Sequence, residues 1–399
     1  MHEHHAIVPN SDRTAILVVE GRLPVVRTEG RKQVATIAAL REVYDVRVPL
    51  LRIVRLLEDS EERLTTLYEV DTPPQGWNPP KPASWAALES LRAADVEPLF
   101  ADGLLEWLAD QAGAPVPPER APWAQSGWLE RATAWVDEVA GITGEPRGVR
   151  TWPLSAVYAF DTSLGSLYLK ACFSIWRHEP ALTAHLARRH PGAVPDVVAL
   201  DEREGWLLMR ELPGAGDELG PEATQRLLRK VGELQRAWIG ADAELLALGA
   251  PHRPLDGLRK LAPELAHLCD RLAGLAIPET FVHGDLHQWN ATLQDGRVVV
   301  FDWSDISLAH PFLDLAPVLF HAAPGDREQL IGAYLEPWAG MAAEAQLHEA
   351  AAWGEALGCV HQAVSYCAIR AAFEPADRWL FAGADDFWLK RAVELAERL

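Results

Sequence analysis

Several features that would mark other classes of protein are scarce or missing in this sequence. Its 399 residues include only four cysteines (Cys172, Cys269, Cys359 and Cys367), and no two of them form a CxxC pair. A disulfide scaffold or a zinc site of that type is therefore not expected. There is no apolar run of about 18 residues that could span a membrane, and the first residues do not resemble a signal peptide. We expect a cytoplasmic protein with no membrane partner.

Positive charge is also scarce. Lysine and arginine total 37 against 57 aspartates and glutamates, which gives a formal net charge of −20. Such a surface repels phosphate backbones, so nucleic acid is not an expected partner. The acidic balance can serve solubility, which we favour, or attract a cationic substrate. The histidines at positions 2, 4 and 5 are expected in a solvated N-terminal tail rather than in a metal site.

Two proline-rich stretches divide the chain, and a chain of this length is expected to form two or three domains. The stretch at 73–82 is interpreted as an ordered loop, and that at 113–118 as a linker between domains. The predicted domains are an N-terminal α+β accessory domain over 1–115, a β-rich lobe over 120–212 and a helical lobe over 213–399.

The pattern of residues 1–115 predicts a small α+β domain. The runs 14–20 and 23–27 are expected to pair as a hairpin around Gly21. The other predicted elements are strands over 48–57 and 64–70 and helices over 85–93 and 102–111.

Beyond the second proline-rich stretch, strands come first and helices follow, which predicts a two-lobed arrangement. The predicted elements are a helix over 126–140, strands over 149–153, 157–161 and 166–172, a helix over 179–189, and a hairpin over 197–201 and 205–211. From residue 221 the chain is predicted to be helical except for the segment 281–305.

That segment carries the residues with the clearest chemistry. Asp285 and Asn290 lie five positions apart in the polar stretch Gly-Asp-Leu-His-Gln-Trp-Asn, after the start of an apolar strand. A carboxylate there can accept the proton of a hydroxyl group while an amide oxygen holds a metal ion. A hairpin turning at Asp295-Gly296 then brings Asp302 back, 17 residues after Asp285. A second carboxylate at that place can bind magnesium bridged to phosphates.

The pattern His-Gly-Asp-Leu-His-x-x-Asn, followed by an apolar strand ending in Asp-Trp, resembles the aminoglycoside phosphotransferase and choline kinase-like family. The resemblance covers roughly residues 120–399. It implies a bilobal protein-kinase-like fold with a β-rich N-lobe and a helical C-lobe. It also implies that Asp285 is the catalytic base and that Asn290 and Asp302 ligate Mg²⁺.

The sequence departs from the family at Gln288-Trp289, where Pro-Gly is usual. This change affects the conformation of the loop and access of the substrate, but removes no chemical group.

A phosphate-binding lysine is expected upstream of the motif. Lys170, one of only six lysines, lies in an apolar strand, where an ammonium group requires an anionic partner. Glu179, nine residues further on, is the expected partner. The resemblance implies that this lysine contacts the α- and β-phosphates and that the glutamate orients it. The alternative is that Lys170 extends to solvent from an edge strand.

Three further nucleotide contacts follow from position alone. Ser155 lies where the family has its phosphate-covering loop, although no GxGxxG pattern is present. Met209 and Glu211 lie at the end of the last strand of the predicted N-lobe, where the family binds a purine through its backbone. A plain surface turn is the alternative at either place.

Several residues near the motif are given supporting roles. His283 and His287 are expected to hold the loop, and Asp314 to anchor the loop backbone from the start of a helix. Trp289 and Trp303 flank the catalytic positions and are expected to line the substrate pocket.

Two regions lie outside these assignments. The strand order of residues 1–115 resembles a Nudix fold without its metal-binding box, so a lid, a substrate-specificity module or a dimerisation module is expected there. Glu374, Asp377, Asp385 and Asp386 cluster near the C-terminus, where we favour a solvated face over a site for an amine-bearing sugar.

These patterns predict a magnesium-dependent transferase that moves the γ-phosphate of ATP or GTP to a hydroxyl group of a small molecule. The acceptor can be an amino sugar, an antibiotic, a nucleoside or a related alcohol, and a homodimer is left open. The alternative is a nucleotide-binding pseudokinase with a regulatory or scaffold role. Loss of Asp285, Asn290, Asp302 or Lys170 would indicate a pseudokinase, and all four are present.

Overall fold

A computed structural model describes residues 1–29, 33–60, 63–275 and 277–399. They form two compact units, one made of Met1–Phe173 and Phe373–Asp377 and the other of Ser174–Ala372 and Arg378–Leu399. The proline-rich stretch 113–118 lies inside the first unit. The three predicted domain ranges remain predictions.

The first unit combines strands and helices. Its strands are β1 (His2–Ile7), β2 (Ala15–Val19), β3 (Val25–Thr28), β4 (Leu50–Ser60), β5 (Arg63–Val70), β6 (Ala83–Ala87), β7 (Arg147–Trp152), β8 (Ser155–Thr162) and β9 (Gly165–Cys172). Its helices are α1 (Gln33–Tyr44), α2 (Ala93–Val96), α3 (Ala101–Gln111) and α4 (Trp128–Ala140), with 3₁₀ turns at Leu88–Ser90 and Pro122–Ala124. Strands β7, β8 and β9 follow one another as an antiparallel meander.

The N-terminal strand lies inside a four-stranded sheet of order β3-β1-β5-β4, in which β1 runs parallel to β5. Its side chains alternate between two apolar clusters. Ile7 packs with Leu67 on one side of the sheet, whereas Ala6 packs with Tyr68 on the other. Both faces of β1 are therefore covered, which secures a strand that begins at the second residue of the chain.

The predicted solvated N-terminal tail is wrong for this reason. His4 is fully buried and its Nε2 lies 2.9 Å from Thr28 Oγ1. His5 is also buried, and its Nδ1 lies 2.6 Å from Glu97 Oε2. Each imidazole has a polar partner inside the unit, so burial leaves these histidines paired rather than solvated.

Two other predictions for residues 1–115 are wrong. Strand β2 pairs with β6, whereas β3 pairs with β1, so the predicted hairpin across Gly21 does not form. The predicted helix over 85–93 begins instead as β6, which pairs with β2. Both errors arise from the pairing of β2 with β6, which is a contact between distant segments of the chain. The strands β4 and β5 and the helix α3 confirm the other predicted elements.

The acidic residues near the C-terminus are mostly buried and paired, which corrects the prediction of a solvated face. In the first unit Arg120 Nη2 lies 3.0 Å from Glu374 Oε2, and both side chains are buried. Asp377 is also buried. In the second unit Asp385 is buried and accepts hydrogen bonds of 2.7 Å from Arg370. Only Asp386 of the four is exposed.

Asp377 makes the stability of the first unit dependent on pH. Burial, followed by the charge of Glu374, raises the pKa of Asp377 from 3.8 to about 7. The folded chain therefore binds a proton that the unfolded chain releases above its ordinary pKa, so the free energy of unfolding falls as pH rises through this window.

We expect Asp377→Asn to be close to the wild type in unfolding free energy at about pH 4, near the ordinary pKa of 3.8, and to exceed it by on the order of 4 kcal/mol at about pH 8, because the pKa rises from 3.8 to about 7 on folding and one pKa unit is worth about 1.4 kcal/mol. Urea unfolding at the two pH values measures the difference. Asp386→Asn, at an exposed position, is the control and should show no such pH dependence. An equal effect of Asp377→Asn at both pH values would contradict the assignment.

The second unit is mostly helical. Its strands are β10 (Val197–Asp201), β11 (Trp206–Arg210), β12 (Thr280–Val282), β13 (Ala291–Gln294), β14 (Arg297–Val300) and β15 (Ser307–Ala309). Its helices are α5 (Glu179–Arg189), α6 (Pro221–Ala237), α7 (Asp242–Ala247), α8 (Leu255–Leu261), α9 (Ala266–Ala273), α10 (Leu315–His321), α11 (Arg327–Leu335), α12 (Glu344–Ala372) and α13 (Ala384–Ala396). Single 3₁₀ turns lie at Ser174–Trp176, Pro263–Leu265, Pro311–Asp314 and Glu336–Trp338, and another, Pro375–Phe381, begins in the first unit. None of the helices in the described ranges combines the length and the hydrophobicity that a membrane span requires.

Helix α12 fixes the position of the 3₁₀ turn Pro311–Asp314 by close backbone packing. A Cβ atom added at Gly354 would lie 2.8 Å from the carbonyl oxygen of Phe312, and one at Gly358 would lie 2.7 Å from Ala316 Cβ. These distances are shorter than normal contacts, so only glycine allows the helix to lie this close. The turn, and with it Asp314, is thereby held against the core of the second unit.

Candidate active site

The loop between β12 and β13 (residues 283–290) contains Asp285. The buried carboxylate of Asp314 holds the backbone of this loop. Asp314 accepts hydrogen bonds of 2.9 Å from the backbone N–H groups of His283 and Gly284. The predicted anchoring of the loop by Asp314 is confirmed. Burial raises the pKa of Asp314 to about 7, against the opposing effect of the two N–H groups.

A chain of buried side chains orients Asp314 in turn. Gln235 Nε2 donates to Asp314 Oδ2 at 2.8 Å, and the Tyr334 hydroxyl donates to Gln235 Oε1 at 2.7 Å. Gln235 also receives a hydrogen bond at its carbonyl oxygen from the Thr280 hydroxyl, at 2.9 Å. Each polar atom named here has a partner, so this network positions the loop rather than loosening it.

The opposite side of the loop is held at Gly284. Its carbonyl oxygen accepts a hydrogen bond from Gln362 Nε2. Its φ is +86°, and an added Cβ would lie 2.8 Å from Asp305 Cβ and closer still to the Asp305 carbonyl oxygen. Glycine is therefore required by both its conformation and its surroundings.

Asp285 is half-exposed, with 44% of its side chain accessible, and its Oδ2 lies 3.4 Å from His287 Nε2. Burial alone would raise the pKa of Asp285, but the hydrogen bond and charge of His287 outweigh it and the pKa lies below its ordinary value. Burial alone would lower the pKa of His287. The hydrogen bond and the charge of Asp285 outweigh burial, so the pKa of His287 lies above its ordinary value. Asp285 is thus an accessible carboxylate that is ionised near neutral pH.

The side chain of Asn290 is oriented by Asp285. Its Nδ2 donates to the Asp285 carbonyl oxygen at 2.8 Å and lies 3.3 Å from Asp285 Oδ2 and 3.2 Å from His287 Nε2. Within the described part of the chain, Asn290 Oδ1 accepts no hydrogen bond. The amide therefore presents its oxygen, the atom that a hard cation binds.

Asp302 lies beside Asn290 because the two flank the open end of the β13–β14 hairpin. The Phe301 N–H donates to the Asn290 carbonyl oxygen at 3.0 Å. Asp302 has φ +63°, a left-handed conformation that is rare for a residue other than glycine and that clusters at functional sites. The Ser304 hydroxyl lies 2.7 Å from Asp302 Oδ1 and 2.9 Å from Glu179 Oε2.

The side chains of Asn290 and Asp302 fit a magnesium site. They supply hard oxygen ligands, which Mg²⁺ prefers, and a small number of protein ligands suits an ion that keeps waters and phosphate oxygens in its shell. Among the residues that the structure describes, no group of three or more His, Cys, Asp or Glu side chains could hold a metal by itself.

The remaining predicted nucleotide contacts are distributed over both units. Glu179 begins α5 in the second unit and is almost fully buried, whereas Lys170 is buried in β9 of the first unit. Ser155 begins β8, and its hydroxyl accepts a hydrogen bond from the Trp152 indole at 3.0 Å. Met209 lies in β11 and Glu211 directly follows it. The roles of these five residues remain predictions.

Comparison with known proteins gives the family that the site-bearing part of the chain resembles. The family model described as the phosphotransferase enzyme family matches residues 158–353, which include Asp285, Asn290 and Asp302. The matched part, residues 158–353, is similar to this family.

Solved structures of similar fold include two kinases. The choline kinase LicA from Streptococcus pneumoniae has 14% identity and a TM-score of 0.51, covering 68% of this chain and 100% of its own. An ethanolamine kinase from Plasmodium vivax has 10% identity and a TM-score of 0.50, covering 72% of this chain and 93% of its own. No curated protein sequence matches the chain.

The match to the phosphotransferase enzyme family confirms the predicted resemblance and, together with the two solved kinases, the kinase-like α+β fold. It also places the chain among small-molecule phosphotransferases. The family match begins at residue 158, so the Nudix-like interpretation of residues 1–115 stays a prediction.

The two tryptophans next to the predicted metal ligands differ from each other. Trp303 is fully buried in the core and its indole donates to the Val300 carbonyl oxygen at 3.0 Å, so the prediction that it lines the substrate pocket is wrong. Trp289 is partly buried, with its ring edge-on to His287 and to His321. It is the one of the two that can face a substrate.

Sequence reasoning missed the residues that support the loop from a distance. Gln235 and Gln362 lie on helices about 50 and 77 positions away from Asp285. Asp305 was also missed; burial raises its pKa to about 6, and the Trp176 indole donates to it at 3.2 Å. Only its position three residues after Asp302 in the sequence hinted at a role near the site.

Proposed function

We propose that this protein is a magnesium-dependent O-phosphotransferase that moves the γ-phosphate of ATP or GTP to a hydroxyl group of a small molecule. One observation carries the proposal. Asp285, whose lowered pKa keeps it ionised, accepts hydrogen bonds from the nitrogen of the Asn290 amide, which leaves the amide oxygen available to a metal ion.

Asp285 acts in this scheme as the base. Its lowered pKa keeps it ionised near neutral pH, and its exposure lets an acceptor hydroxyl approach. His287 holds the carboxylate in place through their contact, and Asp314 fixes the backbone of the loop. The hydroxyl proton passes to Asp285 as the acceptor oxygen attacks the γ-phosphorus and the bond to the leaving nucleoside diphosphate breaks.

Asn290 and Asp302 would hold Mg²⁺, which neutralises charge on the donor phosphates when bound. Lys170 is proposed to contact the α- and β-phosphates, with Glu179 orienting its ammonium group. Ser155 is proposed to lie under the phosphates, and the backbone at Met209 and Glu211 to bind the base. Catalysis then rests on positioning and charge neutralisation.

A pseudokinase remains the second candidate. It is disfavoured because the chain keeps every group that the chemistry needs and because Asp285 is both ionised and exposed, which a scaffold does not require.

We expect Asp285→Asn to lower phosphate transfer by at least about a hundredfold, in line with the usual contribution of a general base, with nucleotide affinity retained. Transfer of labelled γ-phosphate from ATP or GTP is measured in the presence and absence of Mg²⁺. The acceptor panel contains aminoglycosides, amino sugars, nucleosides, choline and ethanolamine.

Asp295→Asn, which removes a carboxylate at the far turn of the β13–β14 hairpin, is the matched control and should keep its activity. Tight nucleotide binding without transfer to any acceptor would favour the pseudokinase. Transfer that survives in Asp285→Asn would exclude the proposed base.

A further inference from the structure

A recess of about 420 Å³ opens on the second unit, away from the residues discussed so far. Three segments form its walls, namely the loop after α5, one face of α6 and the turn of the β13–β14 hairpin. Its lining residues are Pro191, Gly192, Ala193, Arg226, Arg229, Lys230, Glu233, Gly296, Arg297 and Val298.

The recess is positively charged, although the chain as a whole carries −20. Arg226, Arg229 and Lys230 share one face of α6, because residues three and four positions apart on a helix are neighbours. Arg297 adds a fourth cation from the hairpin turn, against a single lining carboxylate, Glu233. Such a concentration of cations on a strongly acidic chain points to a negatively charged ligand.

Two of the four cations are already paired. Arg229 Nη2 lies 2.8 Å from Glu336 Oε1, and Lys230 contacts Glu233. Both pairs are partly exposed, and exposed pairs contribute little free energy, so either cation can turn to a bound anion at small cost.

Arg226 and Arg297 have no carboxylate partner among the described residues. Arg226 donates to the Gly296 carbonyl oxygen, which fixes its guanidinium at the hairpin turn. A Cβ atom added at Gly192 would lie 3.6 Å from Arg297 Nη1, so the Arg297 guanidinium packs over that glycine. Two guanidinium groups therefore lie at the recess with their charge not neutralised.

The recess is connected to the predicted metal ligands through the backbone. Strand β13 begins directly after Asn290, and β14 ends two residues before Asp302. The Val300 N–H donates to the Ala193 carbonyl oxygen at 2.9 Å, which joins the end of β14 to the loop wall of the recess. A ligand that bridges α6 and the hairpin turn would therefore restrain the hairpin whose open end lies between these two residues.

We propose that this recess is a binding site for a compact anion with adjacent phosphate groups. Guanidinium groups bind phosphate oxygens through paired N–H donors, and the four cations suit several neighbouring negative charges better than one. A volume of about 420 Å³ admits a small oligophosphate or a phosphorylated metabolite. The site is separate from the proposed nucleotide site, and binding to it does not require phosphate transfer.

Calorimetric titration with inorganic tripolyphosphate in metal-free buffer tests the site. The titration uses a Lys170→Met chain, so that phosphate binding proposed at the catalytic site is weakened. We expect binding in this chain, weakened at least tenfold when Arg226→Gln and Arg297→Gln are added. Arg41→Gln with Arg92→Gln, at two exposed positions of the first unit, removes the same charge and should leave the affinity unchanged.

Hydrogen exchange of the wild-type chain provides a second measurement that does not depend on any variant. Tripolyphosphate is expected to protect the segments 226–233 and 294–300. Absence of binding, equal affinity with and without the two arginines, or protection confined to other segments would each overturn the proposal. Equal loss of affinity in the Arg41 and Arg92 control would also overturn it, because only total charge would then matter.

Discussion

Gly284→Ala is expected to lower phosphate transfer by at least about a hundredfold, the usual cost of misplacing a catalytic group by about 1 Å. Glycine at 284 has φ +86°, and an alanine Cβ would be 2.8 Å from Asp305 Cβ and closer to the Asp305 carbonyl oxygen. The atoms of Asp305 that would clash are mostly backbone atoms, which cannot move away by a side-chain rotation. The loop must therefore shift, and Asp285, the next residue, shifts with it.

The control for Gly284→Ala is Gly296→Ala at the turn of the β13–β14 hairpin. Gly296 also has positive φ, +76°, but an added Cβ would meet no atom of the described residues within 4 Å. This variant should show only the conformational cost of a left-handed residue, roughly 1–2 kcal/mol of stability, with transfer activity retained. Equal activities of the two variants would show that the contact with Asp305 does not position the loop.

Gly358→Ala is expected to lower the free energy of unfolding by roughly 1–3 kcal/mol, the usual cost of overpacking a core. A Cβ at this position would lie 2.7 Å from Ala316 Cβ and against the Leu313 carbonyl oxygen. Helix α12 would have to move away from the 3₁₀ turn that ends in Asp314. The anchor of the catalytic loop would loosen as well, so transfer activity should fall together with stability.

Urea unfolding of Gly358→Ala is compared with that of Gly332→Ala. Gly332 lies in α11, and a Cβ added there would meet nothing within 4 Å in the described ranges of the chain. Alanine is the better helix former, so Gly332→Ala should raise the free energy of unfolding by roughly 0.5–1 kcal/mol. Both glycines lie in helices, but only Gly358 packs closely against another segment, so the comparison isolates the effect of that packing. Stabilisation by both substitutions would contradict the close packing of α12.

The second half of the chain was predicted well because its signals are local. The helix over 179–189 and the strand over 197–201 agree with α5 and β10 at both ends. Asp285, Asn290 and Asp302 also lie within 18 consecutive residues, on a loop and the hairpin that follows it. Short connections allow few arrangements, so spacing alone indicated that these three groups meet.

The N-terminal residues show the opposite case. Histidines at positions 2, 4 and 5 looked like a polar tail, yet β1 is the parallel neighbour of β5, more than 55 residues away along the chain. The choice of β5 over β2 as a partner depends on which apolar faces can be covered together. That information is spread over the whole unit and is not contained in any short segment.

The sequence by itself determined the chemical groups of the site and their family, since the order of Asp285, Asn290 and Asp302 is local. Only the tertiary structure decided what holds them. Gln235, Tyr334 and Gln362 reach the loop from separate helices, and Asp314 binds its backbone only because α12 packs closely on the 3₁₀ turn. Hydrogen bonds and close packing join residues far apart in the chain, and sequence spacing carries no record of such contacts.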